Sequence, residues 1–162
     1  MRLMKPPSMD LGTPPADVGI SGVHGGAGTT TVARLLNATD LGRDWPGPRD
    51  PRHLFLAART NTRGLTAASQ ALAGYCAKQH PDGPYLAGFV LVADAPGGLP
   101  KPLRRRILIL ASATMVYRLP WVSAWRLSDP AYDDDVATRL RQFATRAVEV
   151  RTPREGSSCT AA

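Results

Sequence analysis

The stretch Asp17-Val-Gly-Ile-Ser-Gly-Val-His-Gly-Gly-Ala-Gly-Thr-Thr-Thr31 combines a short apolar segment, a glycine-rich turn and a run of threonines. Residues 17–23 have the length and composition of a buried strand. The threonines open a helix whose apolar positions Val32, Leu35 and Leu36 have helical spacing. A turn between a strand and a helix gathers backbone N–H groups at the positive end of the helix dipole, which favours an anion. The stretch therefore predicts an α/β fold with an anion-binding turn.

The rest of the chain alternates apolar runs with helical patterns. Further strands are predicted at residues 53–58, 85–93 and 114–119. Helices are predicted after residue 63, near Pro102 and over residues 133–149. This alternation implies a parallel sheet with helices on both faces. We expect a three-layer α/β sandwich with about four parallel strands and a C-terminal helix.

Ligands of such sheets bind beyond the carboxyl ends of the strands. Four loops leave predicted strands at that edge, namely residues 24–31, 59–63, 94–100 and 120–126. We therefore expect these loops to border a single crevice.

Two of the helices have a marked apolar face. In the helix after residue 63 this face consists of Leu65, Ala68, Leu72, Tyr75 and Cys76. In the last helix it consists of Val136, Leu140, Phe143, Ala144 and Ala147, whereas Arg139, Arg141 and Arg146 fall on other faces. We expect the last helix to pack on the domain through its apolar face.

The length of 162 residues and the hydrophobic content of 43% indicate one globular domain. We predict a disordered, proline-rich leader at residues 1–16, an α/β domain at 17–128, its C-terminal helix at 129–150 and a disordered tail at 151–162. No apolar run approaches the ~20 residues needed to span a bilayer. Cys76 and Cys159 cannot by themselves form a disulfide framework, which favours a reducing compartment. We predict a cytoplasmic protein without a membrane partner.

The segment Val23-His-Gly-Gly-Ala-Gly-Thr-Thr-Thr31 resembles the deviant P-loop of the ParA/MinD-type partitioning ATPases, whose pattern is x-K-G-G-x-G-K-T-T. The matching residues are Gly25, Gly26, Gly28, Thr30 and Thr31. His24 replaces the signature lysine of that pattern, and Thr29 replaces its phosphate-binding lysine. The likeness extends more faintly over residues 17–120 and implies a truncated, Rossmann-like P-loop NTPase sheet. The whole chain also resembles a family of short P-loop-like proteins of high-GC bacteria, often associated with plasmids or mobile elements.

The resemblance implies a phosphate or nucleotide site for ATP or GTP with Mg²⁺, and no other cofactor. Its candidate residues are Gly25, Gly26, Ala27, Gly28, Thr29, Thr30, Thr31, Arg59 and Asp94. Thr30 would be the hydroxyl on the metal side. Arg59 and Arg63, which follow a neighbouring strand, would restore part of the charge that the missing lysines remove. A structural alternative stays open, in which the turn only packs strand against helix with Thr29 or Thr30 as the N-cap.

The same resemblance argues against efficient hydrolysis. Phosphoryl transfer depends on positioning and charge stabilisation, and a threonine supplies no cation. The family's strand whose aspartates orient Mg²⁺ and water has no counterpart in the sequence pattern, because only the loop-rich residues 37–52 stand in its place. We therefore name no catalytic residue and no metal ligand apart from Thr30.

Other residues have two interpretations each. Asp94 either reads a base or organises a turn. Trp121 and Trp125 either cap the core or form a protein-binding patch. The run Arg104–Arg106 is either a solvated helix face or a contact with a partner. His53 and His80 lack neighbours at metal-ligand spacing, so no metal site is expected there.

Two functional hypotheses follow, and a third depends on charge. The first is a non-catalytic, P-loop-like accessory protein with a protein partner, in which the phosphate-binding turn is vestigial. The second is a nucleotide-binding protein with weak or no hydrolysis. The net charge of +7 is dispersed along the chain, which makes DNA association the third hypothesis.

Overall fold

The computed structural model describes residues 17–78, 83–130 and 134–151. The strands are β1 Val18–Gly22, β2 Thr39–Asp40, β3 His53–Arg59, β4 Tyr85–Val92 and β5 Val116–Leu119. They form one sheet in which all strands run parallel, in the order β2-β1-β3-β4-β5. The helices are α1 Thr29–Leu36, α2 Thr62–Cys76, α3 Lys101–Ala113 and α4 Asp135–Arg151, with a 3-10 helix at Ser123–Arg126. The expected three-layer α/β sandwich is confirmed.

The two faces of the sheet are buried by different helices. Along β3, Phe55 and Ala57 pack with α1 and α4 on one side, while Leu54, Leu56 and Ala58 pack with α2 and α3 on the other. This alternation follows from the two-residue period of a strand. Both faces are apolar because a parallel sheet is covered by its own crossover helices.

The predicted strands at 17–23, 53–58, 85–93 and 114–119 are confirmed as β1, β3, β4 and β5. The prediction of about four strands falls short by one, because β2 lies inside the stretch expected to be a loop. It pairs with β1 through Gly19 with Thr39 and Ile20 with Asp40. Both of its residues are polar and exposed, so the strand has no apolar pattern by which the sequence would reveal it.

The predicted helices need three corrections, of which two concern buried or exposed residues and one concerns a boundary. Cys76 is exposed at the end of α2, whereas Leu65 and Ala68 of the same face are buried. Arg141 is 0% exposed rather than outside the packed face of α4. Its Nη1 donates to the carbonyl oxygen of Leu35 at 3.1 Å, in the last turn of α1, where carbonyls lack helical partners and attract a cation. The third correction is that α4 extends to Arg151, into the predicted tail.

The C-terminal helix α4 contacts α1, β4 and β5. Its N-terminal end is capped by Asp134, whose Oδ1 accepts the N–H of Val136 at 2.8 Å. The predicted leader at 1–16 and the tail beyond Arg151 lie outside the described residues, as do His80, Asp133 and Cys159. Within the described ranges, no helix has both the length and the apolar character needed to cross a membrane.

Candidate phosphate-binding site

The glycine turn between β1 and α1 depends on two left-handed residues. Gly26 has φ +76° and Gly28 has φ +91°, values that other residues rarely adopt. A Cβ at Gly28 would lie 3.1 Å from Cγ2 of Val92, whereas a Cβ at Gly25 or Gly26 would meet no atom within 4 Å. The turn is therefore packed against β4 on one side and open on the other, where a ligand can approach its backbone.

The backbone amides at the start of α1 form no hydrogen bond with the described residues. Gly28 is the N-cap and no side chain caps the helix, so the expectation that Thr29 or Thr30 serves as the N-cap is wrong. The first helical hydrogen bond runs from the N–H of Val32 to the carbonyl of Gly28 at 3.0 Å. In the described part of the chain, the N–H groups of Thr29, Thr30 and Thr31 have no acceptor. They can therefore donate to an anion.

Thr29, at the position of the phosphate-binding lysine in the resembled pattern, turns away from the open side. A Cβ at Gly22 would lie 2.6 Å from Oγ1 of Thr29, so this hydroxyl occupies the space that the glycine leaves free at the end of β1. Thr29 contributes its backbone amide to the turn and no charge.

His24, at the position of the signature lysine, holds the turn to the next strand. It is only 8% exposed. Its Nδ1 is 2.8 Å from the carbonyl oxygen of Gly25, and its Nε2 accepts the backbone N–H of Arg59 at 3.0 Å. Because a carbonyl can only accept and an amide N–H can only donate, this arrangement assigns the neutral tautomer with the proton on Nδ1. His24 therefore links the turn to β3 through a hydrogen bond, and in this tautomer it carries no positive charge.

Arg59 places a guanidinium beside the turn. Its Nε donates to the carbonyl oxygen of Gly26 and its Nη1 to that of Ala93, both at 3.0 Å. Two backbone acceptors on different elements hold the side chain in one orientation, which limits the entropy lost when a ligand binds. The expectation that Arg59 brings positive charge to the turn agrees with this geometry.

Four of the predicted site residues, namely Gly25, Gly26, Arg59 and Asp94, line one cavity of about 400 Å³. It is lined by His24, Gly25, Gly26, Arg59, Asn61, Arg63, Asp94 and Trp121. Arg63 is exposed on the first turn of α2, and among the residues that the structure describes it has no ion-pair partner. The structure thus brings together the glycine turn, both arginines and Asp94. Ala27 is buried below the turn and Thr31 lines a neighbouring cavity.

An acidic side chain stands beside Thr30, contrary to the expectation that none would. Oγ1 of Thr30 donates to Oδ2 of Asp40 at 2.8 Å, and Oδ1 of Asp40 accepts the N–H of Gly42 at 2.9 Å. Asp40 reaches this position because β2 pairs in parallel with β1, the strand that leads into the turn. The stretch 37–52 therefore provides a carboxylate where the sequence showed only a loop.

A hydroxyl and a carboxylate are suitable ligands for Mg²⁺, which takes one or two carboxylates together with water and phosphate oxygens. The pair Thr30 and Asp40 fits such an ion at the phosphate-side edge of the turn. Across the ranges described, no three His, Cys, Asp or Glu residues cluster as metal ligands. An Mg²⁺ ion at this pair would need oxygens from water or from a ligand to complete its coordination.

Two further cavities adjoin the first along the same edge of the sheet. The larger, of about 700 Å³, lies beneath the loop 94–100 and is lined by Asn61, Asp94, Leu103, Arg118 and Trp121 among others. The smaller, of about 180 Å³, is lined by Thr31, Arg59, Trp121, Trp125 and Arg126 among others. All four predicted loops contribute to these walls, and Trp121 borders all three cavities. The expected crevice is confirmed.

The remaining candidate residues, Asp94, Trp125 and Arg106, have different surroundings. The carboxylate of Asp94 forms no hydrogen bond or ion pair with the described residues, so the turn-organising role is not observed, although its N–H donates to Oγ1 of Thr60 at 3.2 Å. Trp125 packs against the core beside α4. Arg106 donates to Oγ1 of Thr66 at 2.9 Å and thereby ties α3 to α2.

The side-chain roles of His24 and Asp40 do not follow from the sequence. A histidine immediately before a glycine turn gives no local sign of a partner on another strand. Asp40 stands in a polar segment without periodicity. The one available signal was an acidic residue shortly after the helix that begins at Thr29.

The chain was compared with known proteins in two ways. A scan against models of protein families finds no match, and a search of curated proteins finds no significant match.

Proposed function

We propose that this chain is a P-loop-like protein that binds the phosphate groups of a nucleotide at the glycine turn, with weak or no hydrolysis. The observation that supports this most is the placement of Arg59. Its guanidinium is fixed by Gly26 and Ala93 beside a turn whose following amides, from Thr29 to Thr31, have no acceptor among the described residues. Converging N–H donors with a preoriented arginine form a phosphate site.

The surroundings of the turn favour a nucleotide over free phosphate. Thr31, in the first turn of α1, borders the cavity of about 180 Å³ that Trp121 and Trp125 also line. A phosphate held by the turn would have an aromatic-lined space next to it, and aromatic side chains bind flat heterocycles by stacking. ATP or GTP with Mg²⁺ at Thr30 and Asp40 is the ligand class that we propose.

Weak hydrolysis follows from the charges that the turn lacks. Thr29 faces β1 and His24 is neutral, so neither replaces a lysine on the transferred phosphate. Arg59 already donates to the carbonyls of Gly26 and Ala93, so its guanidinium is held at the open side of the turn. Binding needs only the ground-state contacts, whereas catalysis needs stabilisation of the charge that develops on the transferred group.

A thermal-shift experiment tests the proposal. ATP, GTP and ADP at millimolar concentration, with and without Mg²⁺, should raise the melting temperature, because a ligand at 100 times its Kd adds about 2.7 kcal/mol of stability. Arg59→Gln should abolish the shift and the matched variant Arg146→Gln, on the exposed side of α4, should keep it. Unchanged melting with all three nucleotides would exclude this function.

An accessory role with a protein partner in the cytoplasm is the second candidate, and association with a mobile element would belong to it. The observation that favours it is the exposure of Leu108 and Ile109, at 70% and 62%, on α3. DNA association is supported only by net charge. It would appear as an affinity that falls steeply with salt.

A further inference from the structure

The charged side chains of α3 and of the sequence on either side of it are all positive. Between Asp94 and Asp129 the sequence has no acidic residue, while it has Lys101, Arg104, Arg105, Arg106, Arg118 and Arg126. Four of these cations lie in the first half of α3, and no acidic residue stands in its first turn. Cations at the N-terminal end of a helix are repelled by the helix dipole, so this distribution is unfavourable for the isolated protein.

Arg106 differs from its two neighbours because it bonds to Thr66 of α2. Arg104 and Arg105 are exposed, and within the described ranges neither has a hydrogen bond or an ion pair. Since α2 lies on the side of Arg106, these two arginines point elsewhere on the helix surface. Their charge is available to a partner.

Two large apolar side chains stand next to these arginines. Leu108 is 70% exposed and Ile109 is 62% exposed. They lie four residues after Arg104 and Arg105 respectively, so each is the neighbour of one arginine on the helix surface. The core-facing side of α3 is a different one, formed by Leu103, Ile107 and Leu110. Among the described residues, Leu108 and Ile109 therefore lie outside the packed side of α3. We call Arg104, Arg105, Leu108 and Ile109 the α3 outer face.

We propose that the α3 outer face binds an acidic amphipathic segment of a partner protein, through ion pairs at the arginines and apolar contact at Leu108 and Ile109. The two arginines favour a partner with negative charge. The two apolar side chains favour a protein segment that has an apolar face. A second copy of this chain is disfavoured, because a two-fold interface would set the arginines of one copy against those of the other. Nucleic acid is disfavoured, because phosphates gain nothing from two aliphatic side chains. The inference does not depend on the glycine turn.

A binding experiment with designed peptides tests the proposal. The probe is a fluorescent 20-residue helical peptide with leucine on one face and glutamate elsewhere. Its controls are a peptide of the same charge with serine for leucine, and one with lysine for glutamate. We expect the full-length protein to bind the first peptide at least about tenfold more tightly than either control, because both kinds of contact contribute.

Variants locate the contact. L108S/I109S and R104E/R105E should each weaken binding by about tenfold or more, a change that corresponds to loss of one well-formed contact. The matched controls lie on α4, where Val150 is 64% exposed and Arg146 is exposed, so V150S and R146E should change the affinity less than about twofold. All substituted side chains are exposed, so melting temperatures no lower than that of the unsubstituted protein will verify that the variants fold.

Three outcomes would overturn the proposal. The first is equal binding of the leucine and serine peptides, which would show a purely electrostatic surface. The second is tighter binding of a DNA duplex, lost in the same variants and steeply dependent on salt, which would assign the face to nucleic acid. The third is a concentration-dependent dimer in sedimentation equilibrium that L108S/I109S abolishes, which would assign it to self-association.

Discussion

The backbone N–H of Arg59, the last residue of β3, donates to Nε2 of His24 at 3.0 Å. This bond joins the glycine turn to the strand beside it, and the side chain of Arg59 returns to the same turn through the carbonyl of Gly26. One residue therefore both supports the turn and places a positive charge at its mouth. The contact explains how a turn without lysines keeps its shape and some of its charge.

A lysine at position 24, as in the pattern of the partitioning ATPases, should destabilise the protein. His24→Lys removes the acceptor of a part-buried amide and places a cation in a site that is 8% exposed. We expect a loss of about 1–3 kcal/mol in the free energy of unfolding, measured with urea, because an unsatisfied buried donor costs this much. His24→Gln, which can keep an acceptor for the N–H of Arg59, should lose less. Equal losses in both variants would show that the hydrogen bond is unimportant.

Asp40 should have opposite effects on nucleotide affinity with and without Mg²⁺. Its carboxylate lies beside Thr30, so without the metal it repels phosphate and with the metal it serves as a ligand. We expect Asp40→Asn to strengthen binding of ATP without Mg²⁺ and to weaken binding with it, measured by calorimetric titration. Asp44→Asn, an exposed acidic residue of the same loop whose side chain bonds to no described residue, is the control. The same response from both variants would contradict a local role for Asp40.

Two glycines of α2 should respond to alanine with opposite signs. A Cβ at Gly64 would lie 2.1 Å from the carbonyl oxygen of Arg59, whereas a Cβ at Gly74 would meet nothing within 4 Å. Gly64→Ala must displace the end of β3, so we expect it to destabilise the fold by about 1–3 kcal/mol. Gly74→Ala should stabilise it by about 0.5–1 kcal/mol, since alanine favours the helix. Urea unfolding measures both, and a stabilising Gly64→Ala would refute the close approach.

Arg141 should contribute more to stability than any exposed arginine of α4. It is 0% exposed and donates to the carbonyl oxygen of Leu35 at 3.1 Å and to Oγ1 of Thr138 at 3.3 Å. We expect Arg141→Met to cost about 2 kcal/mol or more in unfolding free energy, because the carbonyl of Leu35 loses a charged donor. Arg146→Met, one and a half turns further along and exposed, should be nearly neutral. A neutral Arg141→Met would mean that the α1 and α4 contact is purely apolar.

The parts of the fold that the sequence predicts are those with a continuous apolar pattern. β1, β3 and β4 are each buried on both faces, so most of their residues are apolar or glycine. β2 has only Thr39 and Asp40, which pair with β1 through their backbones and leave no apolar signal. The inward position of Arg141 is likewise hidden, since a charge usually marks the solvent side of a helix. One of its partners is the backbone carbonyl of Leu35 on another helix, and no sequence pattern marks such a contact.

The candidate site was predictable in outline and not in detail. The convergence of the turn, Arg59 and Asp94 follows from topology, because the carboxyl ends of parallel strands meet at one edge. The bonds between His24 and Arg59 and between Thr30 and Asp40 join different elements, and such long-range pairs leave no local pattern. The glycines indicated the backbone shape, whereas the side chains that complete the site became known only from the structure.

The most direct measurement of the central claim is a titration of the ¹⁵N-labelled protein with ATP and Mg²⁺. The chemical shifts of the backbone amides and of the Arg59 side-chain N–H groups are recorded. If the glycine turn binds phosphate, the largest changes will fall on the amides of Gly25 to Thr31 and on the guanidinium of Arg59, and Arg59→Gln will greatly reduce them. No change at millimolar nucleotide, or changes confined to the α3 outer face, would contradict the account.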